Sequence, residues 1–293
     1  MLRLRSHAKI NWHLEVLRRR EDGYHELRTL FQTIDLADDV EVAPRSAGIE
    51  LVVEGEPALA ADRSNLAWRA AEIFFARLAP GGGAAIRIAK RIPLGGGLGG
   101  GSSNAATVLA GLARLHGVDP SSPELEAAAA ELGADVPFFL RGGVALGTER
   151  GDRIAPLDDS ATATQALRLA VPPFAVPTRD VFGAHVVGPR RAVPASLAAA
   201  LAGELPADLA AAGGWNDLEA ACFQLFPELG RVYNGLIEAG ADWVRLSGSG
   251  GAIAARFADE RVAEAAATAL PDRFRWLSTR TLGRSGWRQS AGW

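Results

Sequence analysis

Six of the seven residues from Gly95 to Gly101 are glycine, and Ser102-Ser103-Asn104 follow at once. No other stretch limits the fold so strongly. Without Cβ atoms the backbone can approach a ligand closely and turn several N–H groups inward. Upstream, Ile86, Ile88 and Ile92 suggest a half-exposed strand. Downstream, an alanine- and leucine-rich run predicts a helix from about Ala105 to Leu115. A glycine loop opening into a helix N-terminus suits phosphate, because the first helical turn carries unpaired donors and partial positive charge. Ser102 and Ser103 add hydroxyls for a phosphate oxygen or a magnesium-bound water. A mobile linker is the alternative, but a linker is not normally held so tightly between a strand and a helix.

Three familiar glycine loops do not fit. A Walker loop needs a lysine where Gly101 stands. Gly95, Gly97 and Gly100 match the dinucleotide fingerprint, but the preceding Ile86-Arg87-Ile88-Ala89-Lys90-Arg91-Ile92 is too charged for a buried parallel strand. The protein-kinase set is missing, since neither His-Arg-Asp nor Asp-Phe-Gly occurs.

Around the loop, Val40 to Ala43 and Ile49 to Val53 read as strands separated by a turn-rich segment. Leu66, Ala70, Ile73, Phe74 and Leu78 have helical spacing, with Asn65 as N-cap. Further helices are expected over Pro123–Leu132, Asn216–Phe226, Glu228–Ala239 (closed by Gly240) and Glu260–Leu270. A glycine turn at Ser247-Gly248-Ser249-Gly250-Gly251 leads into a strand from Ala252 to Phe257. Prolines from Pro172 to Pro194 mark a boundary region. Strands and helices mixed without regular alternation favour α+β.

The 48% hydrophobic and 22% charged residues are globular proportions, and a net charge of −3 gives no general pull toward nucleic acid or anionic membrane. Any anion must be held locally. Cys222, the single cysteine, excludes an intrachain disulfide and is expected buried on a helix face. Met1-Leu2-Arg3-Leu4-Arg5 lacks a signal-peptide core, and no apolar run approaches the roughly 20 residues of a membrane span, so a cytoplasmic protein is expected.

Ala8-Lys9-Ile10-Asn11, Asp22-Gly23-Tyr24-His25-Glu26-Leu27, Leu94 through Ala106 and Leu132-Gly133-Ala134-Asp135-Val136-Pro137-Phe138 occur in that order. Together they resemble the GHMP kinase superfamily, and within it the branch acting on a cytidyl diphosphate methylerythritol in the non-mevalonate isoprenoid pathway. Pro177-Thr178 with Phe182, Asn216-Asp217-Leu218-Glu219 and Leu246 to Gly250 extend the match over nearly the whole chain. The Asp-Gly-Tyr-His segment marks the branch.

The resemblance implies a two-domain α+β fold: an N-terminal ATP-binding domain, 1–155, like ribosomal protein S5 domain 2, and a ferredoxin-like C-terminal domain, 156–293, with the active site between them. It implies transfer of the γ-phosphate of ATP to the 2-hydroxyl of that small-molecule substrate. Magnesium would be carried by the nucleotide, with no protein metal site and a monomer or homodimer as the working unit. ATP would lie on Pro93, Leu94, Gly95, Gly96, Gly97, Leu98, Gly99, Gly100, Gly101, Ser102 and Ser103, with Asn65 and Leu66 near adenine.

The same resemblance makes Asp135 the base and Lys9 the ammonium beside it, which would favour negative charge at the acceptor oxygen. By sequence alone, Asp135 before Val136-Pro137 reads as a helix N-cap, and Lys9 as a surface charge. Asn11 would orient the acceptor hydroxyl or make a structural hydrogen bond. Tyr24 would stack on cytosine, His25 would bond its edge, and Phe182 would close the opposite side or simply pack in the core. Thr178 is a further substrate contact. Gly248, Ser249 and Gly250 would lie near the substrate diphosphate, or form only a tight hairpin turn. Trp12 and His13 depart from the small or aliphatic residues usual after the Lys-Ile-Asn segment. The tail from Gly283 to Trp293 carries no readable motif. A different small-molecule kinase of the superfamily, a regulator without catalysis and a nucleic-acid-binding role by fold analogy are the competing readings; the last is disfavoured by the lack of a basic stripe.

Overall fold

The computed structural model describes residues 1–268 and 270–292. Ala269, inside the helix expected over Glu260–Leu270, and Trp293, the end of the expected motif-free tail, lie outside the described residues. The chain opens on a long antiparallel hairpin, β1 (Leu2–Arg19) and β2 (His25–Arg45), turning around Asp22 and Gly23. The sequence reading located only its far end, near Val40. The reason is burial. β1 is buried continuously from Ser6 to Val16, so Ser6, His7, Lys9, Asn11, His13 and Glu15 occupy interior positions where apolar residues would normally signal a strand.

β3 (Gly48–Glu54), α1 (Leu66–Arg77), β4 (Gly83–Ala89), α2 (Gly100–His116), α3 (Pro123–Leu132) and α4 (Val136–Phe139) follow, and then the hairpin β5 (Val144–Glu149) and β6 (Arg153–Pro156). β3 runs parallel to β4, β4 pairs with β2, and β1 and β5 also pair with β2. Phe74 of α1, Leu109 and Leu112 of α2 and Leu125 of α3 pack with Val40, Val42, Ile86 and Ile88 into one core. Asn65 caps α1 as expected, accepting the N–H of Ala67 at 3.0 Å. α2 begins at Gly100, earlier than the expected Ala105, so its first turn lies inside the glycine run. Sequence propensity disfavours glycine in a helix, and packing overrides it here.

The second unit comprises β7 (Ala166–Val171), α5 (Thr178–Ala184), α6 (Ala195–Leu201), α7 (Glu219–Leu225), α8 (Pro227–Glu238), β8 (Trp243–Leu246), β9 (Ile253–Arg256), α9 (Glu260–Ala267), β10 (Arg275–Leu282) and α10 (Arg284–Ala291). Its strands run β10-β7-β9-β8, all antiparallel. α7 starts three residues later than expected, because the Asn216 side chain accepts the N–H of Leu218 at 2.9 Å and holds a turn there. Cys222 is buried on α7 as expected, and burial pushes its thiol pKa up to about 12, so it stays protonated.

The architecture is α+β, and the two units are not separate bodies. β10 pairs with β7 and also with β2, through Thr281↔Ile34 and Leu282↔Thr33. Ile10 and Trp12 of β1 share a core with Leu167 and Leu169 of β7 and with Trp243, whose ring lies 4.5 Å from that of Trp12. Because β10 ends beside β2, the tail after it folds onto the first unit. Trp287 fills the space beside Gly142, and Arg114 donates to the carbonyl of Gly292 at 2.7 Å. The proposed division into 1–155 and 156–293 therefore has its last helix crossing back. Among the described residues no helix is long and apolar enough to cross a membrane.

Candidate active site

β1 delivers Lys9 and Asn11 through an irregular stretch of its pairing with β2, with register shifts between His7 and Lys9 and between Asn11 and His13. Such bulges re-aim side chains. The Lys9 ammonium donates to Oδ1 of Asn11 at 2.8 Å and lies 5.5 Å over the ring of Phe31. Its side chain is only 3% exposed, and burial lowers its pKa while the nearby Asp135 carboxylate pushes it back up. Asn11 is engaged through both its polar atoms, with one of its two Nδ2 protons unpaired among the described residues. Its Oδ1 also accepts the N–H of Gly248 at 2.9 Å, and its Nδ2 donates to Oγ1 of Thr29 at 2.7 Å. This geometry gives Asn11 a structural role, since it ties Lys9 to the second glycine turn, and Asn11 also lines the cleft where a substrate contact is expected.

Asp135 Oδ2 lies 3.8 Å from Lys9 Nζ, an ion contact without a direct hydrogen bond, and its side chain is 35% exposed. The N-cap reading fails. Asp135 has helical backbone angles and its side chain makes no capping hydrogen bond, whereas an N-cap is extended and bonds the second or third helical N–H. The carboxylate is left free to face the cleft.

Two glycine turns, one from each unit, meet at Lys9. A Cβ on Gly99 would come 3.3 Å from the Lys9 side chain, and one on Gly248 would come 3.1 Å from its Nζ. Ser247 Oγ donates to the carbonyl of Gly97 at 2.9 Å. Asn216 Nδ2 holds the second turn by donating to the carbonyls of Leu246 and Gly248 at 2.9 and 2.7 Å. Thr178, first residue of α5, shares a hydrogen bond with Ser249 at 2.8 Å.

These groups face a cleft of about 1380 Å³ lined by Lys9, Asn11, Tyr24, His25, Gly97, Gly99, Ser102, Asp135, Thr178, Phe182, Gly248 and Ser249. A single small-ligand pocket is typically about 300–1,000 Å³, so this one has room for two ligands. Phe182 stacks on His25, with ring centroids 5.2 Å apart and an interplanar angle of 29°. A base between two rings needs roughly 7 Å, twice the stacking contact, so a base fits beside this pair and not between them. Burial, with His185 and Arg19 nearby, lowers the His25 pKa, which leaves a neutral imidazole able to donate and accept at neutral pH.

The remaining expected residues are not among those lining this cleft, and of them Leu94, Gly95 and Gly101 are exposed at the surface. Asn65 is committed to its cap, and Leu66 packs near Gly101. Gly95 abuts Ala175, Gly96 abuts Leu98 and Ala252, and Gly100 abuts Ile92. A Cβ on Gly250 would meet the Cys222 sulfur, and Gly250 is not among the residues lining the cleft. Pro93, Leu94 and the buried Leu98 support the loop from outside the cleft lining. Trp12 and His13, the departures from the pattern, pack between the units against Trp243 and Trp215 and do not line the cleft.

Ser103 needs correction. Its hydroxyl donates to the carbonyl of His7 at 2.6 Å and accepts from Ser6 at 2.7 Å, and it is buried. A hydroxyl has one proton, so Ser103 has no donor for phosphate, and Ser102 alone of the pair lines the cleft. Ser102→Ala is expected to raise the nucleotide KM about tenfold at unchanged Tm, the scale of a lost hydrogen bond to a charged group. Ser103→Ala is expected to do the reverse, destabilising by about 1–3 kcal/mol with little effect on KM. Steady-state kinetics and thermal melts on both variants check this.

Sequence reasoning missed Thr29, which anchors Asn11, Phe31 beneath Lys9, and Arg150 on the cleft wall. Nothing local marks them; they come together only through the pairing of β2 with β1 and β5.

Comparison with known proteins agrees with this geometry. Residues 65–143 match the GHMP kinases N terminal domain, and residues 196–275 match the GHMP kinases C terminal domain. The chain is 43% identical over 256 residues to a 4-diphosphocytidyl-2-C-methyl-D-erythritol kinase of Nocardia farcinica, covering 84% of this chain and 82% of that one. It is 39% identical over 277 residues to one of Thiobacillus denitrificans, covering 94% of each. A crystal structure of 4-(cytidine 5'-diphospho)-2C-methyl-D-erythritol kinase superposes with a TM-score of 0.76 at 40% identity, over 96% of this chain and all of that one. With both family domains matched and relatives of about 40% identity covering most of its length, the chain belongs to the GHMP kinase family, in its 4-diphosphocytidyl-2-C-methyl-D-erythritol kinase branch.

Proposed function

We propose that this cleft transfers the γ-phosphate of ATP to the 2-hydroxyl of 4-diphosphocytidyl-2-C-methyl-D-erythritol, in the cytoplasm. The observation that supports it most is the pairing of Lys9 and Asp135 at 3.8 Å where two glycine turns meet. Phosphoryl transfer asks for positioning and charge neutralisation more than for covalent chemistry. The glycine loop and the first turn of α2 would cradle the phosphates with backbone N–H groups. Asp135 would accept the proton of the attacking hydroxyl, and the Lys9 ammonium would stabilise the charge that develops on that oxygen. Tyr24, His25 and Phe182 would receive the cytosine, and Thr178 with the turn at Gly248 and Ser249 would lie along the diphosphate.

A magnesium ion brought by the nucleotide suits the oxygen donors at hand, the Ser102 hydroxyl and the Asp135 carboxylate, both on the cleft wall. When bound it would neutralise phosphate charge.

Coupled ADP release with magnesium-ATP and the cytidyl diphosphate acceptor tests the proposal. Wild-type turnover is expected with this acceptor and not with homoserine or mevalonate. Lys9→Met is expected to lower kcat about 100-fold or more, yet to leave Tm unchanged or raised, since it removes a charge whose burial is unfavourable. Wild-type turnover confined to other alcohols would sink the acceptor assignment.

A further inference from the structure

Arg150 lines the cleft, yet neither the phosphate chemistry nor the acceptor hydroxyl uses it. It sits in the turn between β5 and β6. That turn is strained: Glu149 has φ 59°, and among the described residues no other non-glycine residue has a positive φ. A side chain disfavours this conformation, and such outliers concentrate at functional sites. Asp152 then fixes Arg150 from both ends. Its Oδ1 accepts the Arg150 backbone N–H at 3.3 Å, and its Oδ2 accepts Nε at 2.8 Å together with an Nη. The guanidinium carbon so held lies over the Tyr24 ring, 5.3 Å from its centroid.

Tyr24 itself is 59% exposed, a large aromatic ring standing out at the end of the first hairpin. Its backbone is tied by its N–H to Oδ1 of Asp22 at 3.0 Å, but no hydrogen bond to its phenol is formed among the described residues. Arg150 is the contact that orients the ring. With a cation over one face, the other face of this exposed, cleft-lining ring is left for a stacking partner.

We infer that Arg150 is a positioning residue for the flat base of the acceptor: it backs Tyr24 and holds the opposite ring face ready to stack on a pyrimidine. This rests on the proposed cytidyl acceptor. It predicts an effect on base affinity transmitted through Tyr24, and none on the nucleotide donor. An arginine serving only its ion pair with Asp152, or touching the acceptor diphosphate directly, would act whether or not Tyr24 is present.

Calorimetric titration with cytidine diphosphate separates these cases, using wild type, Arg150→Met, Arg150→Lys, Tyr24→Ala and the Arg150→Met/Tyr24→Ala double variant. Arg150→Met is expected to weaken binding about three- to tenfold, the range of a cation–π contact, with part of the affinity recovered in Arg150→Lys. In the Tyr24→Ala background the same change is expected to have no further effect, and the KM for ATP is expected to stay constant. Equal affinity in Arg150→Met, an undiminished loss in the double variant, or no binding by wild type would overturn the inference. Turnover of the full acceptor is read separately. If wild type fails to phosphorylate it while the coupling through Tyr24 persists, the acceptor assignment falls and the role of Arg150 stands.

Discussion

Asp135→Asn is expected to lower kcat by about 100- to 10,000-fold, the contribution of a positioned general base. The substitution keeps the shape of the side chain and removes its ability to hold a proton. Two structural facts make the result informative. The Asp135 side chain does not cap α4, so any fall in stability reports the buried Lys9 ammonium losing its counter-charge and not a lost cap. Lys9 donates its hydrogen bond to Oδ1 of Asn11, so its position does not rest on Asp135 alone. Both KM values should therefore hold within a few fold, the signature of an interaction made in the transition state. A loss of only about threefold in kcat would remove Asp135 from the base role.

Gly97→Ala is expected to disable the site from its scaffold. Gly97 has φ +68°, and a Cβ there would stand 2.0 Å from the carbonyl oxygen of Ser247 and 2.9 Å from that of Gly250. Both are backbone atoms, so no side chain can swing aside. The left-handed conformation costs an alanine about 1–2 kcal/mol before any clash is counted. The two glycine turns must separate, and with them the N–H of Gly248 that reaches Asn11 and so steadies Lys9. The expected outcome is a Tm lower by at least about 3 °C and kcat/KM reduced more than about tenfold for donor and acceptor alike. Gly235→Ala in α8 is the control, because a Cβ there meets nothing within 4 Å. It should be neutral or slightly stabilising. A Gly97→Ala enzyme matching that control would show that the two turns are not packed backbone to backbone in solution.

These two residues divide what was readable from what was not. The glycine run made a loop opening into a helix readable, because freedom at the backbone and a helix start are local properties. What the run did not reveal is that Gly97 is required by another protein segment as much as by any phosphate. Ser102 and Ser103 are equivalent in a sequence, yet the roughly 100° of helix rotation between them sends one hydroxyl to the cleft and the other to the carbonyl of His7. Asn11 suggested a substrate contact, and the fold adds a structural role the sequence did not show, through bonds to Lys9, Gly248 and Thr29. β1 itself was hard to see because the side chains that carry the chemistry interrupt its apolar pattern.

The sequence by itself determined the α+β class, the loop, the residue types available for proton transfer and the aromatic pair after Asp22-Gly23, since each follows from composition, spacing or backbone freedom over a few residues. Only the tertiary structure decided which of those groups are free to act. It brought Gly248 to Lys9 across 238 intervening residues, set Arg150 behind Tyr24 through the β2–β5 pairing, and returned the tail to the first unit through β10. A hydrogen-bonding atom can serve a ligand only if no neighbour has claimed it, and the neighbours are assigned by long-range packing.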